Sequence, residues 1–149
     1  MFAAMHLQTK LRYTSSEVDD TEQDCCEVWT IQNTLIRSAL LCLSAMVLPQ
    51  NALQMCDVNL HRILVALLAW PGVTTDVEAA TAGLLVWHML ARGSDEALSF
   101  FGAVASLKVV VALASSRELK ANATFQLAAV RACAVVVRAR ADYPSSLGG

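Results

Sequence analysis

"SDEALSFFGAVASLKVVVALASS", Ser94 to Ser116, decides how this chain reads. It is almost wholly apolar, yet it has a charged start, Gly102 near its middle and a single cation, Lys108. A membrane span, a buried strand and two short helices all fit such a composition. Asp95 and Glu96 favour a helix start, because carboxylates suit the positive end of the helix dipole. Gly102 permits a sharp corner. Lys108 is then expected on the solvent side of a second helix, with Leu107 and Val111 pointing inward. A helix sandwiched between two neighbours is apolar over a wide arc. The stretch therefore reads as two short helices joined at Gly102.

The composition of the whole chain agrees. Its 149 residues are one domain's worth, 56% hydrophobic but only 6% aromatic, with three prolines and six glycines to interrupt them. Such Ala-, Leu- and Val-rich sequence with few breakers favours helix. A net charge of -2 gives no sign of a nucleic-acid partner. Six of the thirteen acids fall between Glu17 and Glu27, and from Val28 onward nine Lys and Arg face seven Asp and Glu. The acidic stretch reads as a solvated loop over a mildly basic body.

Repetition carries the architecture. At an offset of 44 residues Leu40 falls on Leu84, Leu43 on Trp87, Leu60 on Val104, Ile63 on Leu107 and Leu67 on Val111. Each pair is apolar and the spacings within each copy are helical. A period of about 40–47 is that of helical solenoid repeats. Punctuation follows the same period. Thr75 to Glu78 and Ser115 to Glu118 read as capping boxes, Pro49 suits a first helical turn, Pro71-Gly72 stops a helix, and Gly93 suits a left-handed C-cap. These signals predict helices over 25–47, 50–57, 59–70, 75–92, 94–101, 103–115 and 118–140.

The order short, medium, long, repeated, resembles the three-helix armadillo repeat. The residues carrying the resemblance run from Asn51 to Ala91 and from Asp95 to Val137, with "FGAVASLKVVVAL" the most similar segment. The resemblance implies an all-α, right-handed α-α superhelix, an armadillo/HEAT-like solenoid of about two and a half repeats. Residues 25–141 would form it, preceded by a partial helix (Phe2 to Leu11) and acidic loop over 1–24, and followed by a flexible tail over 142–149. It also implies a concave surface lined by the third helices. On that surface the expected partner-binding residues are Arg37, Thr81, Leu85, His88, Arg92, Arg131 and Arg138. Thr81, Leu85, His88 and Arg92 climb one helix face, and Arg131 and Arg138 share another. Importin-like members clamp basic peptides with recurring Trp and Asn; here the equivalent places hold Ala82 and Cys42, Val86 and Ala132, which argues against nuclear-import cargo.

The function this implies is a non-catalytic protein-interaction scaffold or assembly subunit, with no cofactor and no metal. Its partner would be a protein or extended peptide, acidic or amphipathic, bound at the groove or at the apolar ends. Neither end reads as capped, so membership of a larger assembly or a longer array is expected. The acidic stretch would be a lid competing at the groove.

The composition also admits three rival readings. A multi-span helical membrane subunit is suggested by a mean hydropathy of +0.48 and by Ile31 to Leu48 with only Arg37. Against it, Arg37, Arg62, Glu78, Lys108 and Arg131 sit near the centres of the candidate segments, each costing about 2.5–3.5 kcal/mol on insertion. A parallel α/β core would use Val109–Val111 and Val135–Val137 as strands, but no phosphate-binding glycine motif follows either. A small enzyme would use His88 as a base; no GxSxG or HExxH motif occurs, and Cys133 reads as inert core. The five cysteines have no framework or chelating spacing and suggest reduced thiols. A cytoplasmic location follows, with mitochondrial the alternative because Lys10 and Arg12 precede the first acid.

Overall fold

The computed structural model describes the backbone of residues 18–148 and the side chains of residues 25–139, and all its regular elements are helical. In chain order these are α1 (Val18–Met46), a 3-10 turn (Pro49–Asn51), α2 (Ala52–Asp57), α3 (Leu60–Leu68), a second 3-10 turn (Pro71–Thr75), α4 (Val77–Gly93), α5 (Asp95–Phe101), α6 (Val104–Ala114), α7 (Arg117–Lys120) and α8 (Ala123–Gly148). The expected helix Phe2 to Leu11 lies outside the described residues.

The chain divides into two compact units, Met1–Ile36 and Arg37–Gly149. In the first, the described residues belong to α1. Thr30 and Thr34 donate their hydroxyls back to the Cys26 and Thr30 carbonyls, each at 2.9 Å. The acidic stretch is not the loop expected of it: from Val18 it is helical. Asp19, Asp20 and Glu22 fall in the first turns, where negative charge complements the dipole, so the residues that argued for solvation also suit a helix start. A lid in the form of a loop does not fit a segment that is helical from Val18. At the other terminus α8 continues to Gly148, through the residues expected to trail off.

In the second unit the core is built by α4, which packs against α2, α3, α5 and α8. Trp87, Leu84 and Leu90 on α4, Phe101 on α5, Phe125 and Ala132 on α8, and Leu64 on α3 have no solvent exposure. Trp87 and Phe101 stack with centroids 4.0 Å apart and planes at 10°. Burial recurs along the chain. Leu40 on α1 and Val47 just after its end correspond to Leu84 and Ala91 on α4, and Leu84, Trp87 and Ala91 to Ala129, Ala132 and Val136 on α8. Ala52 and Cys56 on α2 correspond likewise to Ala97 and Phe101 on α5.

The medium helices need a different register from the one read in sequence. Val104 and Val111 are 65% and 61% exposed, while Ser106, Val110 and Leu113 face the core. Leu60 and Leu64 thus match Ser106 and Val110, two residues beyond the offset of 44. In so apolar a helix the pattern gives little contrast between its faces, and packing selects the inward one. Lys108 is exposed, as expected.

The caps are also reassigned. Thr75 lies inside the second 3-10 turn and donates to the Gly72 carbonyl, so Asp76 caps α4 instead, accepting from the Ala79 amide at 3.1 Å. Ser116 donates to the Thr74 carbonyl at 3.1 Å rather than closing a box, and Asn122 accepts from the Phe125 amide at the start of α8. Gly93 is the last residue of α4, not a left-handed cap. The left-handed residue among those described is Asn59, with φ of 62°. The corner at Gly102 is right-handed (φ -75°), and α5 and α6 meet there at 66°. Ser106 donates to the Phe100 carbonyl at 2.8 Å and ties that corner.

Among the described residues no single helix is long and apolar enough to cross a membrane; two bent pairs, Cys25–Met46 with Pro49–Asp57 and Asp95–Phe101 with Val104–Ala114, reach that length only together.

Candidate functional site

Two helices build the site. The Trp87 indole Nε1 donates to the Ala132 carbonyl at 3.1 Å, which fixes α4 against α8. The residues beside that bond, His88 on α4 and Arg131 on α8, are brought to one place by it. Arg92 stands one turn beyond His88, and Arg138 two turns beyond Arg131. Together with Ala134 and Val135 these four line a pocket of about 370 Å³.

The electrostatics of the pocket are one-sided. Among the described residues no carboxylate lies within ion-pair distance of Arg92, Arg131 or Arg138. Burial lowers the His88 pKa below the ordinary imidazole range, and the Arg92 cation lowers it further. A hydrogen bond to the Arg131 main chain works the other way, and the Arg131 charge again lowers it. His88 is therefore neutral at pH 7, with its Nδ1 buried and lacking a hydrogen-bond partner among the described residues. Three cations, an apolar floor and a neutral imidazole thus line one pocket, and guanidinium forks match carboxylate and phosphate geometry.

The other three expected residues lie elsewhere. Arg37 is engaged, with Nη1 2.6 Å from Asp76 and Nη2 2.6 Å from Glu78, so it clasps the start of α4. The Asp76 hydrogen bond is the main reason its pKa is raised. Thr81 is half-buried, its Oγ1 without a hydrogen-bond partner among the described residues, and Leu85 is exposed; neither lines the pocket. Ala134 and Val135 were missed by sequence reasoning, although they fall between Arg131 and Arg138 on the same helix. Burial raises the Cys133 and Cys56 pKa values, disfavouring the thiolate at both; a Ser94 hydrogen bond partly opposes this at Cys56.

His61 on α3 is a second buried imidazole. It has no solvent exposure, and neither ring nitrogen has a hydrogen-bond partner among the described residues. Phe100 meets it edge-on at 5.3 Å, and the Arg62 guanidinium covers Phe100 at 4.9 Å. Glu96 Oε1 is 3.5 Å from Nε2. Burial lowers the His61 pKa, against the pull of Glu96 and with a smaller push from Arg62. An imidazole whose folded pKa lies below its unfolded value takes up a proton on unfolding. Its contribution is present above the ordinary histidine range and is lost as pH falls below about 6.5. Stability is expected to drop between about pH 7 and pH 5.5, by at most about 1.4 kcal/mol per pH unit for this one group. His61→Leu is expected to flatten that slope, leaving the part due to His88. Urea midpoints of both proteins across the range check it.

No family model, curated protein or solved structure matches the chain.

Proposed function

We propose that this chain is a non-catalytic protein-interaction module, a scaffold or assembly subunit that holds an acidic segment of a partner protein. Its helices form an armadillo-like, right-handed superhelix of about two and a half repeats. The recurring burial from α1 to α4 to α8, and from α2 to α5, supports that architecture. The observation that carries the function is the convergence of Arg92, Arg131 and Arg138 on one pocket without carboxylate partners among the described residues. Ala134 and Val135 give the same pocket an apolar wall, so an acidic segment with an apolar residue between its carboxylates fits it best.

The experiment is a binding titration with two fluorescent peptides. Each is a short extended chain broken by proline, one alternating Glu with Leu and the other Lys with Leu. The Glu peptide is expected to bind more tightly at low salt and to weaken as salt rises. Reversing Arg92, Arg131 and Arg138 to Glu is expected to switch the preference to the Lys peptide. His88→Ala is expected to weaken binding only modestly, since the neutral imidazole contributes surface rather than charge. Equal binding of both peptides, or a triple reversal without effect, overturns the proposal.

A further inference from the structure

The outer face of α8 carries a second feature beside the pocket. Leu127, Val130 and Val137 are 51%, 63% and 63% exposed, and the half-buried Ala134 stands between the last two. Their spacings of three, four and three place them on one stripe, the a/d spacing of a helix that packs against another helix. The stripe lies opposite the face that buries Phe125, Ala129, Ala132 and Val136. Arg131 and Arg138 run along one edge of it, on the side where the pocket opens. Ala134 belongs to both features, so the apolar stripe and the cationic pocket are continuous.

We infer that α8 docks an amphipathic helix of a partner protein, one with apolar residues at a/d spacing and acidic residues along the flank that meets Arg131 and Arg138. This rests on the reading of the pocket as an anion site, and adds the partner's secondary structure and the stripe that reads it. Helix periodicity on the stripe calls for a helix, since an extended chain places alternate residues on one side and does not follow a three-four spacing. Charge complementarity chooses the flank. It also disfavours a second copy of this chain, because a two-fold pairing through the same stripe brings four guanidiniums to one seam.

The test uses a designed helical peptide of about three heptads, with Leu at a and d and Glu along one flank. Its controls are the same composition in scrambled order and the extended Glu-Leu peptide containing proline. The ordered peptide is expected to bind at least about tenfold more tightly than the scrambled one. Val130→Gln with Val137→Gln, which adds no charge beside Arg131 and Arg138, is expected to remove that gain while leaving the extended peptide's affinity unchanged. Both positions are exposed, and circular dichroism confirms that the variant retains its helices. Loss of the gain in R131E/R138E, with recovery by a peptide carrying Lys in place of Glu, is expected as well.

Equal binding of ordered and scrambled peptides overturns the inference, as does a valine double variant without effect. If the extended peptide still binds in those cases, the pocket reading stands and the stripe alone fails. If the ordered helix binds but the arginine reversal changes nothing, the pocket reading fails instead. Sedimentation of the protein alone gives the remaining outcome: self-association abolished by the valine double variant makes the occupant a second copy and overturns a foreign helix.

Discussion

Trp87→Ala is expected to destabilise the protein by about 3–5 kcal/mol, the range for truncating a large aromatic in a closed core. The indole has no solvent exposure and stacks on Phe101 at 4.0 Å, so its removal leaves a cavity bordered by α4, α5 and α8. It also strips the Ala132 carbonyl of its indole donor, at an added cost of about 1 kcal/mol. Trp87→Phe brackets the two contributions, because it retains much of the stack while losing the donor and the volume of the second ring. Chemical denaturation followed by far-ultraviolet circular dichroism measures both. The alanine variant is further expected to lose pocket binding before it loses its helices, since the bond from Trp87 to Ala132 sets His88 against Arg131. A loss below about 1 kcal/mol would mean that Trp87 does not join the three helices as described.

Gly93→Ala is the second large effect, and its cause is steric. A Cβ at Gly93 would collide with the Pro49 carbonyl oxygen and approach Ala52 Cβ to 2.6 Å and the Pro49 carbonyl carbon to 2.9 Å. Two of those atoms are backbone and the third is attached to it, so relief requires α4 and the turn before α2 to move apart. Overpacking of this kind costs about 1–3 kcal/mol or more. Gly83→Ala is the comparison. Its Cβ would meet chiefly Leu68 Cδ2, the far end of a side chain with other rotamers, so a smaller loss is expected there. Thermal melts of the two variants side by side check the order: Gly93→Ala must melt lower.

The contrast between these glycines shows what was legible in the sequence and what was not. That Gly93 ends a helix was readable; that it does so to let another segment pass close by was not, because the two segments are more than forty residues apart in sequence. The middles of the long helices were legible, since Leu84, Trp87 and Ala91 recur at helical spacing and have buried counterparts in α8. Their ends were not: α1 begins at Val18, and the single helix expected over 118–140 is α7 followed by α8. The second helices were misregistered because "VASLKVVVALA" offers almost the same side chain on every face. At the start of α4, Thr75 and Asp76 are both good cap residues, and only the 3-10 turn before them determines which one serves. For the site, the spacing of His88 with Arg92 and of Arg131 with Arg138 was legible. Their meeting across two helices depends on Trp87 reaching Ala132. The engagement of Arg37 with Asp76 and Glu78 depends on folding as well, because those partners lie 39 and 41 residues away.

The recurring burial also bears on insertions. A residue added inside a helix rotates everything after it by about 100° and turns a buried row outward. The equivalent buried residues are 45 apart in the short helices (Ala52 to Ala97), 46 in the medium ones (Leu60 to Ser106), and 45 again from α4 to α8 (Leu84 to Ala129). The odd residue therefore enters and leaves near the ends of elements, with every inward row in phase. Lengthening this chain should follow the same grammar: the corner at Val58-Asn59 and the turn Pro71–Thr75 are places where a residue can be spelled in, whereas one between Leu84 and Ala91 changes the sense of the rest of α4.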